Sequence, residues 1–300
     1  MRFAPTREQR EFSASLADLL GAADVPSIAR AWAAGDPSPG RKLWTRLAEV
    51  GVLALGDPGA GATPVDLVLG FEQLGRFAVP GPYVESVAVL PALGIAPDDA
   101  VATLAAPPTV PYALDATAAD AVYLLDGTTL STAVVVGGLD SIDRARRLAE
   151  VAADELVATV APGPALDRGV LAVSSQLLGA GAALLERSVA YARQRTQFGR
   201  PIGAFQAVKH QLADVHVGLD FARPLLFGAA VGLEPRDISA AKVACGDAAY
   251  RAARTALQVH GAIGYTAEYD LSLWLTKVRA LVNAWGTPRD HRARVLAAIR

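Results

Sequence analysis

Arg195-Thr-Gln-Phe-Gly-Arg-Pro-Ile-Gly-Ala-Phe-Gln206 interrupts an otherwise continuous helical pattern, and Gln258-Val-His-Gly-Ala-Ile-Gly-Tyr-Thr266 breaks the pattern again downstream. Around these two breaks, apolar residues recur at helical spacing. They predict four helices, at roughly 167–195, 204–231, 238–260 and 267–283. The last third of the chain therefore reads as a helical bundle.

Working back towards the N-terminus, residues 99–165 change character. Val101–Leu104, Ala121–Leu125 and Thr129–Val136 are short β-prone runs, with Asp126-Gly127 as a hairpin turn between the last two. Residues 1–98 return to helix. Thr6 and Gln9 have capping-box spacing ahead of Phe12, Leu16, Leu19 and Leu20. A second helix carries Leu43, Leu47 and Val50 and stops at Gly51, a C′ glycine. A third opens at Thr63-Pro64, with Val68, Phe71 and Leu74 on one face, before the Val79-Pro-Gly-Pro82 loop. No internal repeat or low-complexity tail is evident.

Composition excludes several classes. The 300 residues are 52% hydrophobic with a net charge of −2, which gives no reason to expect a nucleic-acid partner. Cys245 is the single cysteine, so neither an intramolecular disulfide nor a multi-cysteine zinc site is available. No apolar run reads as a membrane span, and Met-Arg-Phe-Ala-Pro-Thr lacks a signal-peptide core. A soluble cytoplasmic protein is expected.

Arg195-x-x-Phe198-Gly199, Phe205-Gln206 and Gln258-x-x-Gly261, in this order and approximate spacing, resemble the flavin-contacting arm of the acyl-CoA dehydrogenase family. Leu43-Trp-Thr-Arg-Leu-Ala-Glu-Val-Gly51 and Glu72-Gln-Leu-Gly-Arg76 are similar to weaker signatures of its first domain. The resemblance covers most of the chain. It implies a mainly α fold with a small β region: an N-terminal helical domain (1–98), a reduced middle β domain (99–165) and a C-terminal four-helix bundle (166–300). It also implies oxidation of a CoA thioester at Cα–Cβ with FAD as cofactor.

Carried over residue by residue, the resemblance puts Arg195, Thr196, Gln197, Phe198, Phe205, Gln206, Gln258, Gly261 and Ala262 against FAD, with Gly286 and Thr287 from the family's catalytic loop. The residue types suit that task. Arg195 is a permanent forked donor matched to a pyrophosphate. Phe198 offers an apolar face to the adenine or flavin, Gln206 an amide that donates and accepts, and Gly261 a backbone that a ligand can approach closely. In the family this arm reaches across a subunit interface to a flavin held mainly by a neighbouring chain. A lone Arg-x-x-Phe would instead read as a solvated helix-end cation beside ordinary core.

Two departures stand out. The family's Thr-Glu-Pro…Gly-Ser-Asp flavin cradle is replaced by Val101-Ala-Thr-Leu-Ala-Ala-Pro-Pro108, in which Thr103 and Pro107 are poor remnants, and the β region looks too short for a closed barrel-like domain. The catalytic base is also missing. Removal of the α-proton needs a placed carboxylate, and the family's common Tyr-Glu-Gly-Thr loop here reads Ala284-Trp-Gly-Thr287, so Trp285 stands where glutamate would. Indole has no basicity at neutral pH. The family's other base position, on the helix before Arg195, falls near Gly169 in Leu166-Asp-Arg-Gly-Val170. Asp167 reads as an N-cap, Glu268 as an acid at a helix opening, and Asp247 as a polar contact near Lys242 and Cys245; Asp290 is the one carboxylate between Leu271 and Arg300.

His210 and His216 lie on different helix faces, Gly137-Gly138 is no dinucleotide fingerprint, His260 suits a structural role, and Cys245 suits a buried, inert one. The expected function is a subunit of a heteromeric dehydrogenase. A longer acyl-CoA dehydrogenase paralogue would supply cradle and glutamate, and this chain the trans arm. Short subunits of α2β2 enzymes acting on steroid-derived CoA thioesters resemble it, with electron-transfer flavoprotein as the implied acceptor. Two alternatives remain open: a self-sufficient homo-oligomeric flavoenzyme with an unrecognised base, and a flavin-free scaffold or regulatory subunit.

Overall fold

The computed structural model describes residues 4–57, 59–96 and 98–300; the first three residues of the N-terminal hexapeptide lie outside them. Helices α1 (Arg7–Gly21), α2 (Val25–Ala34), α3 (Ser38–Glu49) and α4 (Pro64–Arg76) come first, followed by a π-helical turn at Val84–Val89. Capping boxes start α1 at Thr6 with Gln9 and α4 at Thr63 with Asp66, and Gly51 follows α3 with φ +83°. The predicted N-terminal helices are present. α2 is an addition that the sequence reading did not contain: it opens at Asp24 without a side-chain cap, so its start carries no capping signal.

The middle region builds a 5-stranded sheet in the order β1-β3-β4-β5-β2. Its strands are β1 (Ala102–Ala105), β2 (Ala113–Leu114), β3 (Ala121–Asp126), β4 (Thr129–Leu139) and β5 (Leu148–Thr159). β1 and β3 run parallel and the remaining pairs antiparallel, with Asp126 opposite Thr129 at the predicted hairpin. The region holds more strand than the three runs read from sequence, chiefly through the 12-residue β5.

Helix α5 (Gly163–Gln194) runs through the centre of the C-terminal bundle. After it come a two-stranded ribbon, β6 (Thr196–Gln197) with β7 (Arg200–Pro201), and then α6 (Gln206–Gly232), α7 (Pro235–His260), α8 (Leu271–Asn283) and α9 (Pro288–Ala298). α9 is a helix beyond the four expected. By length and composition α5 could cross a membrane, contrary to the sequence reading, yet 83% of its apolar window is buried inside the fold. It is the core helix here. α4 and α5 cross backbone to backbone: a Cβ on Gly75 would lie 2.1 Å from the Gln176 carbonyl oxygen, and one on Gly179 1.9 Å from that of Glu72. One hydrophobic cluster runs from Leu16 on α1 through Leu104 on β1 to Trp285, so all three regions share a core.

Candidate functional site

At the C-terminal end of α5 the chain turns outward. Phe198 and Gly199, at φ +53° and +78°, form the two-residue tip of the β6–β7 ribbon, as a tight hairpin with both central residues left-handed requires. A bulky residue rarely adopts that conformation. Here it holds Phe198 out with 93% of its surface exposed. Phe205, half-buried ahead of α6, meets the Phe198 ring edge-on at 6.2 Å, while the Arg200 guanidinium lies 4.1 Å from the Phe205 ring centre. Arg195, Thr196 and Gln197 are exposed, and the Arg195 side chain forms no ion pair with a described residue. Gln206 is exposed too, its Oε1 2.8 Å from His210 Nε2.

The second motif ends α7. Gly261 has φ +62° and ψ −139°, a conformation open to glycine alone, and a Cβ there would meet nothing within 4 Å. Gln258 and Ala262 are exposed beside it. His260 is buried, with Nδ1 2.8 Å from the Ala256 carbonyl and Nε2 unpartnered; burial pushes its pKa down. Its ring stacks on Tyr191, one turn before Arg195, with ring centres 4.3 Å apart. That stack joins the two motifs at one end of the bundle.

Trp285, Gly286 and Thr287 are elsewhere. Trp285 packs at the other end of α5: a Cβ on Gly169 would lie 2.4 Å from Cζ3 of its indole. From Gly169 to Arg195 the helix rises by about 39 Å at ~1.5 Å per residue. The sequence-predicted site residues thus fall into two groups at opposite ends of one helix.

The loop carrying Trp285 is held from several sides. Lys242, buried, donates to the carbonyls of Leu281 (3.1 Å) and Val282 (2.9 Å) at the end of α8. Desolvation pushes its pKa down to about 7. Trp285 and Gly286 then take φ +59° and +97°. His291 Nε2 lies 2.9 Å from the Trp285 carbonyl, and its Nδ1 lies 3.2 Å from the Ser239 hydroxyl. The Thr287 hydroxyl is engaged in capping α9: it donates to Asp290 Oδ2 at 2.7 Å and accepts from the Asp290 N–H at 3.3 Å.

Of the acids weighed as substitute bases, Asp167, Asp247 and Asp290 each engage a structural partner through the carboxylate. Asp167 is not the N-cap read from sequence. α5 begins at Gly163, which places Asp167 inside the helix, where it accepts a forked ion pair from Arg294 of α9. Asp247 pairs with Arg292 at 2.8 Å. Glu268 lies in the turn before α8 rather than at its opening, with its carbonyl accepting from Arg30 at 3.2 Å.

Sequence reasoning missed a carboxyl beside Trp285. Glu85, on the π-helical turn, is 1% exposed with its Oε2 unpartnered. Burial pushes its pKa up to about 7, against the opposing pull of Arg146 and the Trp285 indole. Glu85 and Trp285 line a cavity of about 500 Å³ between the β region and α8, together with Arg146 and Arg279. The available signal was an acid inside the apolar run Val84–Leu90.

FAD can be tested against both ends of α5. The arm fits: an arginine in no ion pair with a described residue, an exposed aromatic and a glycine with open space in front of it lie at one end of the bundle. The cradle region does not. All four residues of β1 are buried, and the Thr103 hydroxyl is enclosed without a partner, so it faces core rather than ligand.

A family model described as "Acyl-CoA dehydrogenase, C-terminal domain" matches residues 160–299. The acyl-CoA dehydrogenase IpdE2 of Mycobacterium tuberculosis is 30% identical over 97% of this chain and 97% of its own length. Among solved structures, the Tcur3481–Tcur3483 steroid ACAD superposes with a TM-score of 0.83 at 19% identity, covering 97% of each chain. The ChsE4–ChsE5 complex of Mycobacterium tuberculosis gives 0.80 at 20% identity, over 100% of this chain and 99% of that one. At those identities the structural matches establish the fold alone.

Proposed function

We propose that this chain, which belongs to the acyl-CoA dehydrogenase family, is the flavin-completing subunit of a heteromeric dehydrogenase. The family is one of FAD-binding flavoproteins, oxidoreductases acting on CoA thioesters. Bound flavin supplies the hydride acceptor. In this reading Arg195, Thr196, Gln197, Phe198, Phe205, Gln206, Gln258, Gly261 and Ala262 contact an FAD held by a longer paralogue, which also carries the catalytic glutamate.

The observation that carries the reading is the separation along α5. An arm about 39 Å from the chain's own Trp285 slot cannot serve a flavin seated there, yet it projects fully formed into solvent. Val217, Phe221 and Leu225 add an exposed apolar stripe along α6 at four-residue spacing, the kind of face that an obligate partner covers. The Tcur3481–Tcur3483 and ChsE4–ChsE5 assemblies each pair two differently named proteins, the first described as a steroid ACAD. By analogy we assign a bulky, steroid-derived acyl-CoA as substrate, an α2β2 assembly, electron-transfer flavoprotein as acceptor and a cytoplasmic location. Gly286 and Thr287 shape the vacated slot instead of contacting flavin. Co-purification with the paralogue tests the assignment: the complex is expected to be yellow and this chain alone colourless.

A second reading has one observation in its favour. Glu85 places a carboxyl of raised pKa beside Trp285, which would suit the base of a self-sufficient enzyme. That reading requires the chain alone to carry flavin.

A further inference from the structure

Arg146 and Glu85 are both buried, and both line the same cavity. Arg146 is 8% exposed, and its guanidinium forms no hydrogen bond to a described residue. Glu85 Oε2 is enclosed without a partner. The Glu85 and Asp115 carboxyls attract the Arg146 charge without a hydrogen bond, so its forked donors stay free for an anion that enters the cavity.

The cavity they share is about 500 Å³, within the range of small-molecule sites. Val110, Leu114 and Leu148 give it apolar walls beside the Trp285 ring. We propose that this cavity binds a compact apolar carboxylate, its charged end clamped between Arg146 and Glu85. A guanidinium and a carboxylate match as a two-pronged donor and acceptor. With its pKa near 7, Glu85 keeps a proton for much of the time at neutral pH, and that O–H donates to the same carboxylate. Asp115 and Arg146 act on Glu85 directly; Lys277 and Asp143 pair behind them at 3.6 Å, and Arg279 and Asp140 also line the cavity. The site goes beyond the flavin-completing role, because it needs neither arm nor flavin.

The test is calorimetric titration of the full-length chain, purified with its partner, using 1-adamantanecarboxylate as probe and 1-adamantanemethanol as its neutral counterpart. The carboxylate is expected to bind saturably, at least tenfold more tightly than the alcohol, and Arg146→Gln to remove that preference. Ile142 is 61% exposed and lines the same cavity. Ile142→Trp therefore fills the space without touching the buried charges, and is expected to abolish binding with the melting temperature unchanged. Absence of saturable binding up to about 10 mM, equal affinity for the alcohol, or wild-type affinity in a folded Ile142→Trp complex would each overturn the proposal. The FAD content of the same samples reports separately on the flavin-completing role.

Discussion

The Trp285 indole lies on the Cα of Gly169, where an added Cβ would come within 2.4–2.9 Å of three ring carbons. The resemblance placed the family's two alternative carboxylates at these two positions. Here one residue occupies the space of both: the ring of Trp285 fills its own slot and excludes any side chain from residue 169. Neither position carries a carboxylate, and the packing leaves room for one side chain between them.

Gly169→Ala is expected to destabilise the protein by roughly 1–3 kcal/mol through overpacking, despite alanine's better helix propensity. Trp285→Leu in the same chain should recover part of the loss, because residues in contact couple. Denaturant unfolding of the two single variants and the double variant gives the coupling directly. Simple additivity would place the indole elsewhere.

Arg195→Ala should leave folding intact, since its exposed side chain pairs with no described residue. Flavin affinity of the complex should fall by about 1.5–3 kcal/mol, the range for hydrogen bonds to charged groups. Equilibrium dialysis of FAD reads this as a loss of roughly ten- to a hundredfold.

Trp285→Phe in the complex is expected to keep turnover within a few-fold of wild type, whereas removing the partner's glutamate should cost on the order of 10²–10⁴. Trp285→Glu alone should create no second active site, because β1 offers no cradle to hold flavin beside it. Steady-state assay with an artificial electron acceptor separates these outcomes.

Stability should depend on pH through Glu85 and Asp115, whose pKa values burial raises from the ordinary 4.5 and 3.8 to about 7 and about 6. Between the ordinary and raised values the folded state binds more protons than the unfolded one. Stability is therefore highest below about pH 4 in this respect, and falls as pH rises towards 7. Glu85→Gln should remove the part of that fall lying between pH 4.5 and 7, on the order of 3 kcal/mol at most. Urea midpoints across that range check it, and an unchanged slope would show that Glu85 titrates normally.

Local signals carried the elements that the sequence made legible. The capping boxes at Thr6 and Thr63, Gly51 after α3 and the Asp126-Gly127 hairpin each depend on neighbours within a few residues. β5 was missed because Glu150, Asp154, Glu155 and several alanines are poor strand formers, and most of the strand is exposed. The one signal for α9 is the capping-box spacing of Thr287 and Asp290, and the resemblance assigns Thr287 to the cofactor instead. Placing the start of α5 at Asp167 turned a buried ion-pair acid into a cap. Glu85 and Trp285 lie two hundred positions apart in the sequence, and nothing in either segment announces that they line one cavity. The Arg195 and Gln258 motifs are visible in the sequence; that they stand a helix length away from Trp285 is not.

The most direct measurement of the central claim is the FAD content of this chain co-purified with its paralogue, set against protein mass and beside the same chain purified alone. One FAD per pair of subunits, with none on the isolated chain, is the predicted result. One FAD on every chain, or a stable homo-oligomer of this chain fully loaded with flavin, would contradict it.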